Sequence, residues 1–202
     1  MTTDASKFED ALKKSLGKDL VFRISVWTII SFVGAYLSLH YFAVDPLDYL
    51  SNLGKSILRL LNILGSFALI IGIPALMTKD MEQALIDSKY KEWTRGWSAG
   101  FLRRLAGDMA LWSLGATVTL ITSILVVVAV VPLPSNDYSI AAFIVTCLLI
   151  SAFMFAMTHF YIKRQGPSPL LVVTKNPLII LITHISILVL IIYAGLISPI
   201  MI

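Results

Sequence analysis

Cysteine is almost absent from this chain: one residue in 202, Cys147, carries a thiol. No disulfide can close within it, which excludes a stapled secreted scaffold. Charge is the second scarcity. Asp, Glu, Lys and Arg together make up 14% of the residues against 57% hydrophobic types, whereas a soluble domain uses about 25% charged residues to hold its surface in water. Acid–base and metal-binding side chains are thin as well. The three histidines, His40, His159 and His184, are dispersed, and no H-E-x-x-H, G-x-x-x-x-G-K-[ST] or cysteine–histidine cluster occurs. The apolar runs hold no carboxylate that could form an acid–base pair with a histidine. This pattern leads to the expectation of no catalytic residue, no metal and no cofactor.

What is present is apolar sequence in long runs, at 21–44, 57–77, 109–131, 139–162 and 178–202. Each is long enough, at about 1.5 Å per residue, to cross a hydrocarbon core of about 30 Å. The first 20 residues mix acids and bases and lead into a long apolar run with no small-residue exit, so the first run reads as a retained span rather than a cleaved leader. The last run carries Pro199 near its end and either crosses or re-enters. The expected fold is therefore an all-α polytopic transmembrane helix bundle with about five, alternatively four, spans plus cytoplasmic amphipathic helices. Residues 1–20 form the N-terminal amphipathic helix, and 21–202 form the bundle with cytoplasmic loops 78–108 and 163–177.

The cations orient it. Lys7, Lys13, Lys14, Lys18 and Arg23 precede or open the first run. Lys79, Lys89, Lys91, Arg95, Arg103 and Arg104 lie between the second and third, and Lys163, Arg164 and Lys175 between the fourth and fifth. Only Lys55 and Arg59 fall on the opposite side. The positive-inside rule then predicts a cytoplasmic N-terminus. External loops at 45–56 and 132–138 are too short for a ligand-binding domain, and the cytoplasmic pieces are too fragmented for an independent catalytic core.

Those cytoplasmic pieces are patterned. Phe8, Leu12 and Leu16 recur every four residues, with Glu9–Lys13 and Asp10–Lys14 at i,i+4, which gives an amphipathic helix with a possible capping box at Ser6 and Glu9 and an interruption at Gly17. The stretch EWTRGWSAGFLRRLAGDM places Trp93, Trp97 and Phe101 at the same spacing beside Arg95, Arg103 and Arg104. Indoles beside cations suit a membrane interface. Gly96, Gly100 and Gly107 each weaken a helix by about 1 kcal/mol, and close approach of another backbone would account for that, so the segment is a candidate partner-docking surface. A further exposed apolar tetrad, Leu170 to Val173, lies in the loop at 163–177.

Inside the runs, small and weakly polar residues recur at helical spacing: Ser31 and Ala35 in the first, Asn62 and Gly65 in the second, Gly115 and Thr119 in the third. Such stripes let helices pack closely in lipid; the alternative is that the same hydroxyls line a hydrated path. His184, some seven residues into the last run, is read as neutral and bonded to a neighbouring hydroxyl or carbonyl.

In size, span layout and loading of the cytoplasmic face, the chain resembles the KwaA family, the membrane component of the Kiwa antiphage defence system. That family has four spans, one fewer than the main count here. The resemblance implies an inner-membrane homo-oligomer that senses infection at the envelope and is coupled to a soluble DNA-binding effector, KwaB, with no direct nucleic-acid binding by the membrane chain. The expected function is a non-enzymatic sensor or scaffold subunit that docks a cytoplasmic effector. Alternatives are a small oligomeric channel or transporter, or a membrane protein of the colicin-immunity or superinfection-exclusion type.

Overall fold

The computed structural model describes residues 2–85, 96–132, 135–163 and 169–197, with side chains defined there except at 2–14, 135, 169 and 194–197. Of the described residues 93% are helical and none lies in a strand. In hydrocarbon a backbone N–H or C=O finds no water, and a helix satisfies both within one segment. In chain order the helices are α1 (Thr2–Tyr36), continued by a π-helical turn (Leu37–Tyr41), α2 (Pro46–Ala84), α3 (Trp97–Val130), α4 (Ser135–Lys163), the short α5 (Pro169–Val173) and α6 (Pro177–Ile197). Four stretches are long and apolar enough to cross a bilayer, Ser15–Tyr41, Pro46–Ala84, Trp97–Val130 and Asn136–Lys163, and Pro177–Tyr193 is a shorter apolar helix. The protein is a helical membrane bundle of four to five spans.

The helices overrun the apolar segments that nucleate them, because their ends are capped. The Asp45 carboxylate accepts from the backbone N–H of Leu47 at 2.9 Å and of Asp48 at 3.1 Å, with Pro46 in the first helical position, where its missing N–H costs nothing. α2 thus begins eleven residues before the apolar run, and the external loop expected over 45–56 shrinks to 42–45. Asn176 caps α6 in the same way, accepting from Leu178 N–H at 3.0 Å ahead of Pro177. Residues 78–84 and 97–108, expected as loop, are helical. α1 starts before Ser6 and passes through Gly17, so neither the capping box nor the interruption exists. It ends where Phe42 N–H reaches Leu37 O and Val44 N–H reaches Ser38 O, both at 3.0 Å, around Ala43 at φ 50°, a left-handed cap of the kind usually given to glycine.

The chain packs as two units, one of residues 1–64 and 111–157, the other of 65–110 and 158–202. In the first, Ile57, Leu120 and Ile124 are buried, with Leu53, Leu61, Val145 and Leu148 packed around them. Gly115 lies so close to Trp27 that a Cβ there would sit 2.7 Å from the indole. In the second, Ala75, Ala106 and Ile162 form a small core against Ile71, Leu76 and Leu102. α3 is the most enclosed span, with 44% of its most apolar stretch buried, against 6% for α4. Phe143, Ile150, Phe153 and Met154 of α4 are all exposed, an apolar surface that only lipid or another apolar face can cover.

Candidate functional site

The second unit holds a concentration of buried ionisable groups where α2 ends. Thr78, Lys79 and Asp80 are 5%, 5% and 2% exposed. Helical geometry separates their roles. Glu82 lies about 40° around the helix from Thr78 and Asp80 about 200° from it, so the last turns of α2 present two polar faces.

Thr78 and Glu82 meet α3. Arg103 places Nη1 2.7 Å from Glu82 Oε2 and donates from Nε to Thr78 Oγ1 at 3.3 Å. The Thr78 hydroxyl in turn donates to Ala75 O at 2.8 Å. Asp80 meets α4 and α6: Tyr161 O–H donates to Oδ1 at 3.0 Å, and His184 Nε2 lies 3.3 Å from Oδ2. Lys79 donates to the Tyr161 carbonyl and lies 4.2 Å from the centre of its ring, a cation–π arrangement that is worth more once desolvated.

The proton positions on His184 follow from its partners. Nδ1 is 2.8 Å from Ile180 O, and since a carbonyl only accepts, Nδ1 carries hydrogen. A second proton must then lie between Nε2 and Oδ2, on one atom or the other, because a bare nitrogen lone pair facing a carboxylate is repulsive. His159 is fixed in the same manner, its Nδ1 donating to Gly107 O at 3.0 Å. Lys163 stands 3.6 Å from Asp108. At Gly107 an added Cβ would lie 2.8 Å from Lys163 Cε, so this glycine permits the close approach of α4. Removing one member of the buried Asp80–His184 pair leaves the other without that partner, at a cost of roughly 3–5 kcal/mol.

The cluster corrects the sequence reading. Asp80 is a buried carboxylate on a spanning helix, and it forms with His184 the acid–base pair that the sequence was read as lacking. His184 does bond a carbonyl, as expected, but its second partner is an aspartate. Nothing in residues 78–82 marked this in advance except polar residues spaced on two faces just past an apolar run. Among the described residues no three histidine, cysteine or acidic side chains converge as a metal site.

Of the docking candidates, Trp93 and Arg95 lie outside the described residues, as do the side chains of Phe8 and Leu12; Leu16 is half-buried. Trp97 is 84% exposed and stacks on Phe101 at 5.5 Å. Arg104 is exposed on the same side of α3, whereas Arg103 is turned inward to Glu82. Gly100 has nothing within 4 Å of its Cβ direction. Val172 and Val173 of α5 are exposed. Ser31 and Ala35 are buried, and Gly115 meets Trp27. Asn62 is exposed, and Gly65 faces open space. Thr119 spends its hydroxyl on Gly115 O of its own helix, as Thr117 and Thr122 do on Ser113 O and Val118 O.

Residues 96–100 read Gly-Trp-Ser-Ala-Gly, a G-x-S-x-G pattern that corrects the expectation that no such motif is present. The hydrolase nucleophile elbow of that pattern needs its serine on a tight turn between a strand and a helix; Ser98 is the second residue of α3 and exposed, and residues 86–95 before it lie outside the described ones.

These features define a polytopic helical membrane protein with a cross-linked ionic end. No protein-family model matches the chain, and neither a curated protein nor a solved structure shows significant similarity to it.

Proposed function

We propose that this chain is a non-enzymatic subunit of a bacterial inner membrane, with its N-terminus in the cytoplasm, that docks a soluble partner protein on the outer part of α3. The reading is that of the KwaA-like resemblance: an oligomeric sensor or scaffold serving an effector. The orientation is supported by the placement of fourteen of the sixteen cations.

The observation that carries it is the stacked Trp97–Phe101 pair on a helix too long for the bilayer. Trp97 precedes Val130 by thirty-three residues, about 50 Å of helix. Hydrocarbon plus one headgroup layer measures roughly 36 Å. With Val130 at the far hydrocarbon edge and an average tilt of about 20°, Trp97 stands roughly 10 Å beyond the near headgroups. Lipid does not reach it there, and an indole left 84% exposed to water forgoes several kcal/mol that burial of about 200 Å² would return. Arg104 beside it completes the aromatic-plus-arginine composition of an interface centre.

The test is co-purification of the full chain from lipid nanodiscs with its soluble partner, quantified by stoichiometry. Trp97→Ala is expected to weaken recovery by about 30-fold, the loss of an ordinary hot spot, and Trp97→Ala with Arg95→Ala to abolish it. Trp112→Ala, which removes an indole that is also open, at 63% exposure, but lies inside the span, is expected to leave recovery unchanged. Equal recovery for all three proteins would place docking elsewhere.

A further inference from the structure

From the geometry of α2, α4 and α6 we infer that Asp80 and His184 form a proton-binding site whose single bridging proton latches α6 onto α2. The side chains are 3% and 9% exposed, so the pair is shielded from water while the bond holds. The ring is held from behind by Ile180 O at 2.8 Å and the carboxylate from its other oxygen by Tyr161 at 3.0 Å. Both groups are therefore fixed, and the remaining variable is the occupancy of the 3.3 Å gap.

With one proton in that gap, N–H faces carboxylate or O–H faces nitrogen, and both arrangements attract. Taking it away sets a lone pair against a carboxylate, whereas adding another leaves a neutral carboxylic acid whose Oδ2 still accepts from the N–H, a weaker bond than one to a carboxylate. Loss of the proton converts this polar link between α2 and α6 into a repulsive contact in a buried setting, where an unmatched polar group is costly.

The surrounding ionisable groups are committed elsewhere. Lys79 of α2 is bonded to the Tyr161 carbonyl, with its ammonium over that ring. Glu82 is paired with Arg103 of α3, and Asp108 of α3 with Lys163 of α4. His159 of α4 is turned to Gly107 O. None of these bonds ends on His184 Nε2 or Asp80 Oδ2, which face each other across the gap. The ligand is the proton itself, and its effect is mechanical: the attachment of α6 depends on it. A membrane chain that must report an event at the envelope has in this pair a means of registering a change in local proton activity.

The test uses the full chain in nanodiscs. Amide hydrogen exchange of α6 is followed from about pH 5 to pH 9, the range in which a histidine pair changes state, and corrected for intrinsic exchange rates. In the wild type, protection of α6 is expected to fall about tenfold or more towards the alkaline end of that range, the factor implied by one lost buried hydrogen bond. H184Q keeps an N–H donor to Asp80 but has no second protonation state, and its α6 protection is expected to be flat. A flat wild-type profile, or the same profile in H184Q, overturns the latch. Should H184Q fail to fold, the ¹⁵N imidazole spectrum of the wild type decides alone. Nδ1 is expected to stay protonated while only Nε2 responds to pH, and loss of the Nδ1 proton first would refute the arrangement.

Discussion

Adding one methyl group at Gly115 opposes two effects of comparable size. A Cβ at that position would lie 2.7 Å from Trp27 Cε2 and 2.9 Å from Cδ2 and Cζ2. Carbon atoms rest about 3.5–4.0 Å apart, so the indole of α1 must withdraw by roughly 0.8 Å or more. All three contacts are to the fused part of a rigid ring, with no flexible end that could swing aside. Overpacking of this kind costs about 1–3 kcal/mol, while replacing a mid-helix glycine by alanine returns up to about 1 kcal/mol. The overlap wins, for a net loss of about 1 kcal/mol. At Gly65 nothing lies within 4 Å, so Gly65→Ala keeps only the helical gain. Thermal unfolding in one detergent should rank Gly65→Ala at or above the wild type and Gly115→Ala about 2–4 °C below it, the shift expected for 1 kcal/mol in a chain of this size. Trp27→Leu introduced into Gly115→Ala should recover part of the loss. If Gly115→Ala melts at or above the wild type, the close contact of α1 with α3 is wrong.

Other perturbations separate the same forces. Asp80→Ala, which removes the carboxylate partner of His184 and one acceptor of Tyr161, should cost about 3–5 kcal/mol in equilibrium unfolding; Asp80→Asn retains an acceptor for Tyr161 and should lose only about 1–2 kcal/mol. Ala43→Gly relieves the left-handed backbone at φ 50° and should raise stability by about 1 kcal/mol, measurable in the same assay. Gly107→Ala should stay within about 0.5 kcal/mol of the wild type. The atom it would meet is Lys163 Cε, part of a flexible stem, and the Asp108 pair that stem serves is half-exposed and contributes little.

Two glycines picked out by the sequence in one motif have different fates. Gly107 allows α4 to approach within its own chain, whereas Gly100 faces open space beside Trp97. Composition can flag a glycine as unfavourable in a helix but not which neighbour benefits. The same limit applies to Arg103 and Arg104. Adjacent residues point about 100° apart on a helix, so one arginine turns to Glu82 and the other to the exposed side. The π-turn and the left-handed Ala43 had no sequence signal, since glycine or asparagine ordinarily marks such a cap.

Helix, membrane residence and the approximate number of spans follow from the sequence alone. Twenty apolar residues in a row have one low-energy state in hydrocarbon, and reaching it requires no knowledge of their neighbours. Asp45-Pro46 and Asn176-Pro177 carry local signals for helix starts, because caps act over two or three residues, yet the first falls in the loop expected over 45–56. The ionic cluster belongs to tertiary structure. Asp80 reads as a span-end carboxylate of no depth until Tyr161 and His184, 81 and 104 positions further along, close around it. Burial and pairing are properties of what arrives from elsewhere in the chain, and local pattern carries no record of it.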